Sequence, residues 1–131
     1  MSNATFQLAL LKIPVSQIER SSKFYQDTLG VTVQFAAEEY GWAQLLAGEL
    51  PLALYKPGMG GGDGKIGGSL DFHLALAAER FDQLANSLIP RGVIVDNTIH
   101  RGDDGTTFID LRDPDGNTLK IMRADPNNTA V

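Results

Sequence analysis

The sequence predicts an α+β fold of two successive β-α-β-β-β modules whose sheets curl around a cavity. Three observations carry this. Strand-like apolar runs and one amphipathic helix follow the same order in both halves, a glycine-rich stretch divides the halves, and each helix has a single apolar face with which to cover one side of a sheet. The 131 residues are 43% hydrophobic, enough for a single domain with a core of its own. The expected layout is one domain over 1–131, with module one at 5–57, a glycine-rich linker at 58–69 and module two at 70–123.

Phe6 to Val15 is apolar and β-branched and reads as the first strand. Ser16 and Glu19 have capping-box spacing, the Ser16 hydroxyl accepting from the Glu19 amide. Ile18, Ser22, Tyr25 and Leu29 recur at helical spacing and Gly30 supplies a left-handed stop, which predicts a helix over 17–29. Strand-like runs follow at 31–37, 40–47 and 50–56, broken at Glu38-Glu39 and Gly48-Glu49. Pro57 to Ser69 holds seven glycines and reads as a flexible connector, with a flap over the cavity as its other role. A strand at 70–77 comes next. Phe81, Leu84, Ala85 and Leu88, at i, i+3, i+4 and i+7, mark the second helix, which Pro90 and Gly92 end. The remaining strands fall at 93–98, 106–112 and 118–123. In Asp113-Pro114-Asp115-Gly116-Asn117, Pro114 presets a turn and Gly116 takes the positive φ, so this acidic stretch reads as a turn former rather than a calcium loop. Residues 1–4 and 125–131 read as disordered ends.

Eleven Lys and Arg against 16 Asp and Glu, with no basic run, exclude a phosphate-binding face and so nucleic acid as a partner. The lack of cysteine removes disulfides, thiolate zinc sites, iron–sulfur clusters and thiol nucleophiles. Leu8 to Leu11 is too short for a signal core or membrane span, so a cytoplasmic protein without membrane partners is expected. The glycine run lacks the Gly-Lys-Ser or Gly-Lys-Thr ending of a phosphate loop.

Ile13-Pro14-Val15-Ser16, Glu19 to Tyr25, Leu29-Gly30-Val31, Phe72-His73-Leu74-Ala75-Leu76 and the stretch Phe108 to Asn117 together resemble the vicinal oxygen chelate superfamily, the glyoxalase, bleomycin-resistance and extradiol dioxygenase relatives. The resemblance spans about residues 6–123 and implies the glyoxalase/bleomycin-resistance fold, a homodimer and a small-molecule ligand. Family enzymes draw metal ligands from the first, fourth, fifth and eighth strands. Matched residue by residue, the first position falls on Leu10, the fourth-strand position near Leu52 to Leu54, the fifth on His73 and the eighth on Lys120. Only His73 is a metal donor, and one imidazole does not hold a divalent ion against water. The resemblance therefore leaves no cofactor expected and, if a metal is present, His73 as its ligand.

Strand alternation places Asp71, His73 and Ala75 on one face and Phe72, Leu74 and Leu76 under the helix; likewise Thr118, Lys120 and Met122 oppose Leu119 and Ile121. His73 is then a hydrogen-bonding group, a base or a structural histidine. Lys120 either attracts an anionic ligand group or pairs with Asp71 or another carboxylate. Trp42 and Tyr55 are either core residues or, with Tyr40, an aromatic wall, with Gln44 on the face of Trp42; His100 and Arg101 lie in a loop that borders the cavity mouth or is simply solvated. The leading expectation is metal-independent binding of a small molecule, with His73, Lys120, Trp42, Tyr55, Gln44, Leu10, His100 and Arg101 as lining residues. The alternatives are a metal-dependent lyase, isomerase or dioxygenase that adds Gln44, His100 or Glu49 to His73, and a partner-binding module with a vestigial cavity.

Overall fold

The computed structural model describes residues 5–124; the ends read as disordered, 1–4 and 125–131, lie outside the described residues. The chain divides into two compact units, 1–65 and 66–131. Each holds a four-stranded sheet and one long helix, the repeated β-α-β-β-β order expected of an α+β fold with two modules.

In the first unit the strands are β1 (Leu11–Pro14), β2 (Thr32–Ala37), β3 (Trp42–Ala47) and β4 (Leu50–Tyr55), with α1 (Ile18–Leu29) between β1 and β2. The sheet order is β1-β4-β3-β2, with β1 parallel to β4 and the other pairs antiparallel. Ile13, Ala43, Leu45, Leu52 and Leu54 are fully buried on one face, against Ile18 and Tyr25 of α1. Burying each of the Ile and Leu side chains contributes roughly 1.5–3 kcal/mol. Gly30 ends α1 at φ 69°, its N–H reaching the Gln26 carbonyl at 3.0 Å.

The first strand is shorter than its apolar run. It pairs with β4 only from Leu11 to Pro14, opposite Leu52 to Tyr55, and Phe6 remains 92% exposed. The expected capping box does not form. Gln17 occupies the cap position without a side-chain bond, and the Ser16 hydroxyl accepts from Arg20 instead. The amides of Ile18 and Glu19 donate to the carboxylate of Glu38, 20 and 19 residues away, at 3.1 and 3.2 Å. Glu38 lies in a 3-10 turn, Glu38–Tyr40, which takes over the start of the run expected to be strand from residue 40.

In the second unit β5 (Ser69–Ala77) is followed by α2 (Ala78–Leu88), β6 (His100–Arg101), β7 (Thr107–Arg112) and β8 (Thr118–Ala124), in the sheet order β5-β8-β7-β6. Phe81, Ala85 and Leu88 of α2, with Ile109, Leu111, Leu119 and Ile121, form its core. No strand forms over 93–98. Asp96 and Asn97 adopt φ of 56° and 51°, a left-handed region that Asp and Asn enter more readily than most residues. The β-branched residues before them meet β7 through a bridge, Ile94 to Leu111, and a bond from the Arg112 amide to the Val93 carbonyl, while the Ile94 and Val95 carbonyls accept from the Asn97 and Thr98 amides in a local turn. His100 and Arg101, expected in a loop, form β6 against Thr107 and Phe108. The turn after β7 is as expected: Asp113, 4% exposed, accepts from the amides of Asp115 and Asn117 and from Asn117 Nδ2, and Gly116 has φ 82°.

The Ile18 amide, then that of Glu19, together with Lys56 Nζ at 3.3 Å, holds the Glu38 carboxyl below the usual carboxylate range. A lowered folded pKa favours the ionised form, so the stabilisation is complete above the unfolded value and is lost as pH falls through the folded one. Glu38→Gln is expected to lower stability in urea at neutral pH by about 0.5–1 kcal/mol, the modest end because the side chain is partly exposed and screened. The difference from the parent should close in acid; a gap of equal size there would refute a charge-dependent cap.

Candidate functional site

Alternation along the second sheet assembles a polar face. Across β5, β8 and β7, His73 sits opposite Lys120 and Lys120 opposite Asp110; Arg112 faces Thr118, Phe108 faces Met122, and His100 of β6 faces Phe108. Paired residues share a face, so all of these lie on the side opposite α2. Between Ser69 and His73 the β5 register shifts, the step from Ser69 to His73 matching that from Thr118 to Lys120. The extra residues form a bulge, which bends a strand and re-aims its side chains. A concavity of about 390 Å³ opens there, lined by Ser69, Leu70, Asp71, His73, Asp110, Thr118 and Lys120.

Lys120 anchors the electrostatics. Its Nζ is 3.4 Å from Asp110 Oδ1 and 3.5 Å from the centroid of the Phe108 ring, an ion pair and a cation–π contact made by one ammonium. The carboxylate that pairs with it is Asp110, not Asp71. His100 stacks on Phe108 at 5.0 Å with an interplanar angle of 21°, so it reaches Lys120 through that ring. Arg101 is exposed at the end of β6. The loop that follows closes on itself. Asp104 accepts from the Thr106 amide and hydroxyl, which hold its carboxyl below the usual range, and Gly102 N–H reaches the Thr106 carbonyl.

The other expected lining residues belong to the first unit. Lys12, Gln44 and Ala53 share the face away from α1, as do Trp42 and Tyr55. Leu10 is half-buried just before β1, and Gln44 is exposed. Leu52 and Leu54 point toward α1. Trp42 and Tyr55 carry the glycine-rich segment as a cover, so residues 58–64 are a packed strap rather than a free linker. Lys12 Nζ donates to the Gly61 carbonyl at 2.6 Å, the Gly64 amide donates to the Tyr55 hydroxyl at 3.0 Å, and the Gly58 amide donates to the Gly62 carbonyl at 3.0 Å. A Cβ at Gly61 would sit 3.0 Å from Trp42 Cε3 and Tyr55 Cβ, and one at Gly62 2.9 Å from Tyr55 Cε2. Glycine lets the backbone lie this close to the rings.

Sequence reasoning found His73, Lys120, Asp71 and Thr118 on this face but missed Asp110 and Ser69. The alternation of Phe108-Ile109-Asp110-Leu111 held the signal for Asp110; the bulge that brings in Ser69 and Leu70 has none. Among the described residues no three His, Asp or Glu side chains gather as a metal-ion donor set. No described helix is long and apolar enough to cross a membrane.

A family model described as the Glyoxalase/Bleomycin resistance protein/Dioxygenase superfamily matches residues 7–121. No curated protein matches the chain in sequence. Among solved structures, a lactoylglutathione lyase from Agrobacterium tumefaciens superposes with a TM-score of 0.76 at 15% identity, covering 93% of this chain and 96% of that one. A glyoxalase/bleomycin resistance protein/dioxygenase superfamily member from Sphaerobacter thermophilus gives 0.74 at 22% identity, covering 92% and 98%. A bleomycin-binding protein complexed with bleomycin gives 0.63 at 21%, covering 92% and 100%. At these identities the likeness is one of fold.

The strap offers a direct test because Trp42 is the only tryptophan in the chain. Gly61→Val should force the strap off the rings, shift Trp42 emission to longer wavelength, raise its quenching by acrylamide and cost about 1–3 kcal/mol of stability. Gly68→Ala, where an added Cβ meets nothing within 4 Å, should leave the emission unchanged. Unaltered Trp42 emission in Gly61→Val would show that the strap does not cover the ring in solution.

Proposed function

The chain belongs to the Glyoxalase/Bleomycin resistance protein/Dioxygenase superfamily, and from that premise we propose that it binds a small polar molecule in the concavity of its second sheet without a divalent metal. The observation that carries the reading is Lys120. An ammonium, paired with Asp110 and facing the concavity opposite His73, stands where the family resemblance calls for a carboxylate ligand.

The residues do not fit a divalent ion. Of the positions that the resemblance marks for ligands, Leu10 and the run Leu52 to Leu54 offer only hydrocarbon, and Lys120 brings a like charge. That leaves His73, whereas catalytic sites of such ions use three or more protein ligands. The same face suits binding. Charged and hydroxyl side chains converge on one concavity, which is how small-ligand sites fix orientation. Trp42, Tyr55, Gln44 and Leu10 belong to the first unit, with Trp42 and Tyr55 under the strap, and the proposed site is built without them.

Two measurements test the proposal. After equilibration with nickel, zinc, manganese or iron(II) and gel filtration, elemental mass spectrometry is expected to find far less than one ion per chain. Near one ion per chain, lost in His73→Ala, would overturn the metal-free reading. In a protein-observed NMR fragment screen, small polar compounds should perturb Ser69 to His73, Asp110 and Thr118 to Lys120 together, and His73→Ala with Lys120→Met should abolish those shifts. Hits confined to other surfaces would refute the site.

A further inference from the structure

We propose that the concavity selects small polar molecules that carry a protonated amine, with Asp71 as the specificity-determining residue. This deepens the small-molecule reading above and rests on it.

The positive charge at this site is already engaged within the protein. Lys120 is the one ammonium among the lining residues, and it is held by Asp110 and by the face of Phe108. An anionic ligand would have to compete with Asp110 for it and would meet the carboxylates of Asp71 and Asp110 on the way. Two carboxylates against one ammonium leave the lining negative with His73 neutral. Arg112, the next residue along this face, is exposed and is not part of the lining. The chain as a whole carries a formal charge of -5, which adds to the same sign at longer range.

Hydrogen-bonding capacity points the same way. The side chains of Ser69, Asp71, His73 and Thr118 engage no partner among the described residues. They are not a bare acidic cluster, because two hydroxyls and an imidazole stand with the carboxylate around one concavity. Asp71 supplies a free anionic acceptor, neutral His73 one donor and one acceptor, and the two hydroxyls both kinds. The chemical complement is an ammonium group on a frame bearing hydroxyls. A concavity of about 390 Å³ has room for a molecule of monosaccharide size. Alternation along β5 sets Asp71 on the same face as His73, and the register shift between Ser69 and His73 lies at that point of the strand.

Three probes of one frame separate the outcomes: glucosamine, glucose and glucuronate, titrated by NMR against the intact chain and read at His73, Asp110 and Lys120. Glucosamine is expected to bind about three- to fivefold more tightly than glucose, the range of a partly exposed ion pair. Glucuronate should bind more weakly than either, and the glucosamine preference should shrink as salt rises. Asp71→Asn should erase the preference for glucosamine over glucose, and amide shifts unchanged away from the concavity show that the variant is folded. Tighter binding of glucuronate, or an undiminished preference in Asp71→Asn, would overturn the amine assignment and leave the small-molecule site standing. No perturbation of the lining by any of the three would overturn both.

Discussion

Ile109, Leu111, Leu119 and Ile121 are buried on the α2 side of the second sheet, and because side chains alternate along a strand, their burial forces Phe108, Asp110, Thr118 and Lys120 onto the other side. A slip of one residue in β8 would put Lys120 into the core and expose Leu119 and Ile121. The cost would be an unpaired buried ammonium together with lost apolar burial, each worth several kcal/mol. Register is therefore fixed by the core, and the polar face is its consequence. His73 follows from the same logic: pairing of Leu74 with Ile121 on the helix side sets His73 beside Lys120 on the other.

What that face does depends on which charges are left over. Lys120 read alone suggests an attractor of anions. Placed 3.4 Å from Asp110 and over the ring of Phe108, it is largely engaged within the protein. The uncommitted groups are then Asp71, His73, Ser69 and Thr118, a set richer in acceptors than in positive charge. One ion pair thus bears on both the case against a divalent metal, by placing a cation beside the donors, and the sign of the ligand charge that the concavity would favour.

The glycine-rich segment shows how composition misleads. Seven glycines over 57–69 suggest freedom, yet Gly61, Gly62 and Gly64 lie against Trp42 or Tyr55 and are tied at Gly61 by Lys12 and at Gly64 by the Tyr55 hydroxyl. The absence of side chains serves close approach at Gly61 and Gly62. Tyr55 is buried, Trp42 is half-buried, and both lie under this segment rather than forming an open aromatic wall.

Periodicity and turn chemistry in the sequence determined most of the fold: both helices, the β2 to β4 meander, the Asp113 to Asn117 turn and the facing of His73 and Lys120 follow from local alternation and capping rules that need no distant partner. The Gly30 and Gly116 stops were legible for the same reason, since positive φ is a property of the residue itself. Tertiary structure decided the rest. Glu38 rather than Ser16 caps α1, because a carboxylate from a later turn can reach two amides and Lys56 at once. β1 is confined to Leu11 to Pro14, the residues that find partners on β4, and Asp110 rather than Asp71 takes Lys120 because cross-strand register brings them opposite. The bulge in β5, which turns a polar strand face into a concavity, arises only when two strands of unequal spacing are paired, and no single strand carries that information.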